Sequence, residues 1–397
     1  MTRSTSKSPV AERVKYFTES VIRGMTRLAV QHGAVNLGQG MPDFDPPQEI
    51  IEAACKAIRD GANQYAITWG APALRQAIAR KAQAFNGIEC DADAHITVCC
   101  GATECMMASM LALVDQGDEV VIFQPYYENY APDALLSGAK PVWVTLHPPH
   151  WTFDPTELRA AFSPRTKAII VNTPNNPTGR VFTRAELTQI AELCQEFDAY
   201  AFSDEIYEYI RYVDAPHISI ATLPGMADRT VTISGLSKTY SITGWRLGYC
   251  IAPAVATDAI RKAHDFLTVG APHPLQLAGA VALALPQTYY DTLQSNYQRR
   301  RDILLGYLRD AGFAFESPEG AYYVMTDIAE LDPTRTDTEF VRWMIENVGV
   351  SAVPGSSFYS PRERGHTKVR FMWAKRDETL HAAGERLLTV RDKLAGG

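Results

Sequence analysis

Long apolar runs are missing from this 397-residue chain: no stretch approaches the roughly 18 to 20 residues that cross a bilayer, so no membrane protein is expected. Basic runs are missing too. The 38 Lys and Arg residues are scattered among 45 acids, the net charge is −7, and a nucleic-acid binder is not expected. The seven cysteines are odd in number and include no Cys-x-x-Cys pair, which argues against both a disulfide framework and a zinc site. The opening residues Met1 to Pro9 are polar and carry no signal-peptide core, so reduced thiols and a cytoplasmic location are expected. No repeat or low-complexity tract is visible. What remains, 46% hydrophobic and 21% charged, describes an ordinary globular protein of two or three domains at about 100–200 residues each.

Apolar spacing predicts helices over Ser20–Gln31, Glu49–Asp60 and Pro72–Phe85. From residue 95 the rhythm becomes strand, turn, helix. Strands are predicted at His95–Cys100, Glu119–Phe123, Lys140–Thr145, Ala168–Asn172, Ala199–Ser203 and Arg229–Ile233. This alternation predicts an α/β fold with a mostly parallel central sheet covered by helices, where ligands bind beyond the carboxyl ends of the strands. Past Pro286 the pattern changes to a long helix, Tyr289–Gly312, then short strands at Phe313–Phe315, Tyr322–Thr326, Gly349–Val353 and Lys368–Met372. The expected division is an N-terminal arm at 1–45, a large domain at 46–286 and a smaller α+β domain at 287–397, which the arm joins.

Chemistry gathers at the strand ends. Lys238 follows the Arg229–Ile233 strand in a loop rich in hydroxyls and glycine, where a desolvated amine can attack an aldehyde; taken alone it is more often a solvated turn. Arg246, eight residues on, suits a phosphate. Gly101, Ala102 and Thr103 open a helix directly after a strand, an arrangement that presents free N–H groups to an anion. Asn176 lies in a Pro- and Asn-rich turn after the Ala168 strand; Asp204 ends another strand, with Tyr207 a turn further on. Helix capping is the blander account of Asp204.

Together these residues meet one chemical need. Pyridoxal phosphate requires a lysine for a Schiff base, an acid to keep the pyridine nitrogen protonated, an anion cradle, and donors beside the phenolic oxygen. Over roughly residues 20–390 the chain resembles the class I/II pyridoxal-phosphate aminotransferases of fold type I. The resemblance implies that Lys238 forms the Schiff base, Asp204 pairs with the ring nitrogen, and Asn176 and Tyr207 bond the phenolic oxygen. It assigns Arg246 and the Gly101, Ala102, Thr103 turn to the phosphate, and Tyr127, in Pro125-Tyr-Tyr-Glu-Asn-Tyr130, to stacking on the ring. Tyr65 matches a tyrosine that reaches the phosphate from the neighbouring subunit, so a homodimer with shared sites is implied. Arg370, in Lys368-Val-Arg-Phe-Met-Trp373, matches the arginine that forks onto the substrate α-carboxylate, and Gly40 a backbone contact beside it. Many relatives carry a serine three residues before the lysine; here Gly235 stands there, leaving Ser234 and Ser237 as alternative hydroxyls.

The implied reaction is a ping-pong amino transfer from an L-amino acid, with aromatic, methionine-like and aspartate donors all open, to a 2-oxo acid, with Lys238 as anchor and general base and no metal. A carbon–sulfur β-lyase acting on cysteine conjugates is the alternative, since both begin with loss of the α-proton. The Gly38-to-Phe44 segment resembles the kynurenine- and glutamine-type transaminases. Tyr65, Trp69, Tyr126 and Tyr127 are expected to form an aromatic entrance favouring aromatic or methionine-like substrates. No second arginine is assigned to a distal carboxylate.

Overall fold

The computed structural model describes residues 10–16, 20–212 and 216–396. Its centre is a seven-stranded sheet of β1 (Ile96–Cys99), β2 (Glu119–Gln124), β3 (Lys140–Thr145), β4 (Thr166–Asn172), β5 (Tyr200–Asp204), β6 (Thr230–Gly235) and β7 (Gly248–Ile251). The spatial order is β1-β7-β6-β5-β4-β2-β3. Strands β3, β2, β4, β5 and β6 run parallel, and β7 is antiparallel to both its neighbours. The predicted mostly parallel sheet is therefore present. Its β-branched strands are buried along almost their whole length, as helices on both faces require.

The register brings the reactive ends together. Asn172 pairs with Asp204, and Asp204 with Ile233, so these two side chains and the loop that follows β6 leave the sheet at one level. Gly235 pairs with Gly248, which in turn pairs with Cys99, the last residue of β1. That row places the Lys238 loop beside the turn at Gly101.

A second core lies beside the sheet. Leu304, Leu305 and Leu308 of the Gln287–Ala311 helix pack with Phe340, Phe371, Met25 and Leu37, so the N-terminal segment shares a core with the C-terminal third. The backbone adds to this: Val35–Asn36 runs parallel to Val350–Ser351. A three-stranded antiparallel sheet of β8 (Tyr323–Asp327), β9 (Val353–Pro354) and β10 (Lys368–Met372) completes the layer, with β10 in the middle.

Three local expectations change. Phe313–Phe315 makes only an isolated bridge, Ala314 to Asp327, and Gly349–Val353 divides between two partners, Asn36 and β10. Strand β7 and the Ala254–Thr268 helix lie where no strand or helix was expected.

Candidate active site

A cavity of about 420 Å³ opens at the carboxyl ends of β4, β5 and β6. Gly40, Ala102, Thr103, Tyr127, Asn176, Asp204, Tyr207, Lys238, Arg246 and Arg370 all line it. Gly101 stands just behind: at φ 89° it takes a left-handed conformation, and a Cβ there would lie 2.5 Å from Arg246 Nη2.

Lys238 projects its Nζ to within 3.3 Å of the Gly40 carbonyl, which also accepts from Tyr322 Oη at 3.0 Å. Burial holds the ammonium below the usual lysine range; the Tyr323 hydroxyl opposes the shift, and Arg246 and Arg370 add to it. A neutral amine at working pH is the form that attacks an aldehyde and accepts a proton. Gly40 has no room for a side chain, because a Cβ would run into the Tyr323 hydroxyl.

Asp204 accepts from Tyr130 Oη at 2.7 Å and from the Ile206 N–H at 3.2 Å. Burial raises its carboxyl above the ordinary range, with Tyr130, Ile206 and Lys238 pulling the other way. A cationic heterocycle at the floor of the cavity would reverse that balance, because an opposite charge favours the ionised acid.

Arg370 is 1% exposed yet makes no ion pair among the described residues. Its Nη1 donates to Asn176 Oδ1 and its Nη2 to the Gly38 carbonyl, each at 2.7 Å, while Nε has no partner. Tyr323 and Phe358 cover its faces at 4.2 and 4.8 Å. An unpaired buried cation is costly, and a carboxylate arriving through the cavity would compensate it.

The anion end is built from Arg246, in left-handed conformation at φ 54°, and the first turn of the Ala102–Leu113 helix, whose Gly101 cap offers no side-chain bond. Of the two alternative hydroxyls, Ser237 lines the cavity, whereas Ser234 Oγ turns away to Glu208 at 2.8 Å. Gly235 is fixed by packing, since a Cβ would meet the Leu247 carbonyl at 2.8 Å. Amine, acid, anion cradle and phenolic donor thus match the donor set that pyridoxal phosphate needs.

The aromatic entrance is corrected for Tyr126 and Trp69: Tyr127 lines the cavity, but Tyr126 stacks on Trp143 at 4.7 Å and Trp69 lies under Arg261 at 4.9 Å, while Tyr65, expected from a neighbouring subunit, is 84% exposed. Sequence reasoning missed Tyr130, Asp133, Tyr323 and Arg23, all of which line the cavity. Tyr130 and Asp133 stand one helical turn apart, a spacing visible in the sequence. Tyr323 and Arg23 carried no such signal.

Fold and site together define a fold type I protein built around pyridoxal phosphate. The aminotransferase class I and II family matches residues 32–387, and the chain belongs to that family, whose cofactor is pyridoxal phosphate. It is 40% identical over 368 residues to methionine aminotransferase of Escherichia coli K12, covering 93% of this chain and 95% of that one. Human kynurenine–oxoglutarate transaminase 1 is 36% identical over 393 residues, covering 91% and 93% respectively. The structure of N-succinyldiaminopimelate aminotransferase from Mycobacterium tuberculosis superposes with a TM-score of 0.93 at 38% identity, over 96% of this chain and all of that one. The protein is an aminotransferase of amino acids.

Proposed function

We propose that the enzyme moves the amino group of a neutral, methionine-like or aromatic L-amino acid to a 2-oxo acid in two half-reactions, with Lys238 as covalent anchor and proton carrier. The buried, charge-depressed amine of Lys238, set between Gly40 and the two cavity arginines, carries this reading. When bound, the cofactor supplies a protonated ring that takes up the electrons left at the substrate α-carbon.

The residues do the rest. Arg370 holds the α-carboxylate by a two-pronged contact and so fixes which bond at the α-carbon faces Lys238. With the cofactor bound, the Nζ of Lys238 in its neutral form would be the group that takes and carries the substrate's α-proton. Asp204, held by Tyr130, would keep the ring nitrogen charged, and Asn176 and Tyr207 would hold the phenolic oxygen. Arg246, Ser237 and the Gly101, Ala102, Thr103 turn would hold the phosphate. Tyr65 would add a contact from the neighbouring subunit of a homodimer, and the described part of the 1–45 arm joins 287–397 as the smaller domain beside 46–286.

Methionine, tyrosine and kynurenine in single turnover against the holoenzyme test the assignment. Release of the matching 2-oxo acid, with Lys238 the residue labelled by borohydride, is the expected result. Lys238→Ala retains cofactor and loses turnover by at least about 10³-fold. Ammonia and pyruvate from cysteine conjugates, without a 2-oxo acid, would replace this reading with β-elimination.

A further inference from the structure

His264 lies on the Ala254–Thr268 helix with its side chain fully buried, and both ring nitrogens meet acceptors. Nδ1 stands 2.7 Å from Glu104 Oε1, and Nε2 stands 2.9 Å from the Thr68 carbonyl oxygen. A neutral imidazole has a single N–H and would set a lone pair against a lone pair at one of these contacts. Both contacts are satisfied only when both nitrogens donate, so the ring is an imidazolium. Burial alone would lower its pKa, but the Glu104 carboxylate and the Thr68 carbonyl outweigh burial and hold it above the usual histidine range. The thiols of Cys99 and Cys250 also face the ring.

Glu104 is the other half of the pair. It stands in the first turn of the Ala102–Leu113 helix, whose start forms the anion end of the cavity. Its Oε1 accepts from His264 and from Thr268 Oγ1 at 2.7 Å, and its Oε2 accepts from the Cys100 N–H, one residue before Gly101. Burial opposes ionisation of this carboxyl, yet His264, Thr268 and the Cys100 N–H together hold it below the ordinary range. A carboxylate at a helix N-terminus is favourable on its own, but it repels a phosphate held by the same turn. An imidazolium against it resolves the conflict, because Glu104 can order the Cys100–Gly101 backbone while its charge is cancelled.

We propose that His264 is a positioning residue for the cofactor phosphate: as a buried imidazolium it neutralises Glu104 and pins the Cys100–Gly101 end of the cradle to the loop that carries Tyr65. This rests on the assignment of the Gly101, Ala102, Thr103 turn to the phosphate and adds the pair behind it. Neither His264 nor Glu104 is among the side chains that line the cavity, so both act through the turn.

The cofactor-free protein is titrated with pyridoxal phosphate and, separately, with pyridoxal, and the ratio of the two Kd values reads what the phosphate contributes. His264→Gln is expected to lower that preference about tenfold, because the Glu104 charge is left uncompensated. Adding Glu104→Gln to His264→Gln should restore most of it, since glutamine still accepts from the Cys100 N–H and carries no charge. A histidine that only filled space would not be repaired by a change in its partner. Nitrogen NMR of histidine-labelled wild type at about pH 7.5 should show the His264 ring protonated on both nitrogens, a signal that turns neutral in Glu104→Gln alone. A neutral ring in the wild type overturns the inference, as does a loss in His264→Gln that Glu104→Gln leaves in place. If the wild type binds both probes alike, the phosphate assignment itself fails and this inference falls with it; a wild-type preference that His264→Gln retains sinks this inference alone.

Discussion

Burial acts on three charged groups of one cavity, Lys238, Asp204 and Asp133, and Asp133 alone of the three has no stated job. Lys238 is pushed toward its neutral form, which its proposed role uses. Asp133 is 4% exposed, its Oδ2 has no hydrogen-bond partner, and burial followed by repulsion from Asp204 raises its carboxyl well above the ordinary range. Its folded-state value therefore exceeds the unfolded one of about 3.9. The stability linked to this group is fully present below that unfolded value and is lost as pH rises through the folded one. Near neutrality the cofactor-free protein carries a penalty, on the scale of about 1–3 kcal/mol for an unsatisfied buried polar group. Asp133→Leu should raise the melting temperature of the cofactor-free protein at pH 7 to 8, and the gain should shrink toward pH 4. A scan of melting temperature against pH checks this, and a variant no more stable at pH 8 than at pH 4 would contradict it.

Arg370 makes a sharper prediction at the same scale. Its two occupied nitrogens and its stacking between Tyr323 and Phe358 depend on a flat fork, which lysine lacks. Arg370→Lys keeps the charge yet should raise KM for every amino donor by about tenfold or more, whatever its side chain. Steady-state kinetics with methionine and glutamate provide the check, and a loss confined to one donor would assign Arg370 to side-chain recognition.

Among the elements, β7 joins the two halves of the anion end. A Cβ on its first residue, Gly248, would collide with the backbone of Gly101 and Ala102, so β7 and the start of the Ala102–Leu113 helix meet main chain to main chain. Gly248→Ala must push that helix start away from Arg246. We expect weaker cofactor binding by about tenfold and a stability loss of about 1–3 kcal/mol, as in other overpacked sites. Fluorescence titration of the cofactor-free protein and a urea melt test the two parts separately; unchanged cofactor affinity with reduced stability would separate the glycine from the cradle.

The elements also explain what could be read in advance. Buried strands such as Val120 to Phe123 and Ala168 to Val171 are continuous β-branched or apolar runs, a signal that survives without any knowledge of partners. Strand β7 gives no such signal, because Gly-Tyr-Cys-Ile is four residues long and opens on the glycine that close packing demands. Lys238, Asp204 and Asn176 were legible because each stands just beyond a strand end, where the fold itself directs function. Arg23 was not. It lines the cavity from a helix start that Glu128, more than a hundred residues away, ties down through Ser20, and sequence spacing carries no trace of that contact. Trp69 misled for the same reason: an aromatic in a loop reads as an entrance, yet here it packs under Arg261.

Across the whole molecule, the surface around Tyr65 bears on whether one chain suffices. The loop carrying Tyr65 and Ile67 is tied to the last turns of the Ala254–Thr268 helix, with His264 Nε2 against the Thr68 carbonyl at 2.9 Å, and to the start of the His273–Ala282 helix, with His273 Nδ1 against the Gln64 carbonyl at 3.1 Å. Phe266 at 92%, Leu267 at 43% and Val269 at 45% exposed lie at the end of the Ala254–Thr268 helix, beside Tyr65 at 84% and Ile67 at 45%. Exposed apolar side chains gathered in one region are the composition that a protein contact surface uses. A second copy of the chain as its occupant agrees with the proposed role of Tyr65, and a two-fold pair would cover the patch on both subunits at once. Phe266→Glu places a charge in that contact without touching any cavity residue. We expect sedimentation to report dimers for the wild type and monomers for Phe266→Glu at micromolar concentration. The monomer should also hold cofactor more weakly, because Tyr65 no longer reaches a neighbouring phosphate site; Tyr65→Phe in an intact dimer should reproduce the weaker binding without the change in mass. A monomeric Phe266→Glu protein with unchanged cofactor affinity would remove Tyr65 from the site and leave each chain complete in itself.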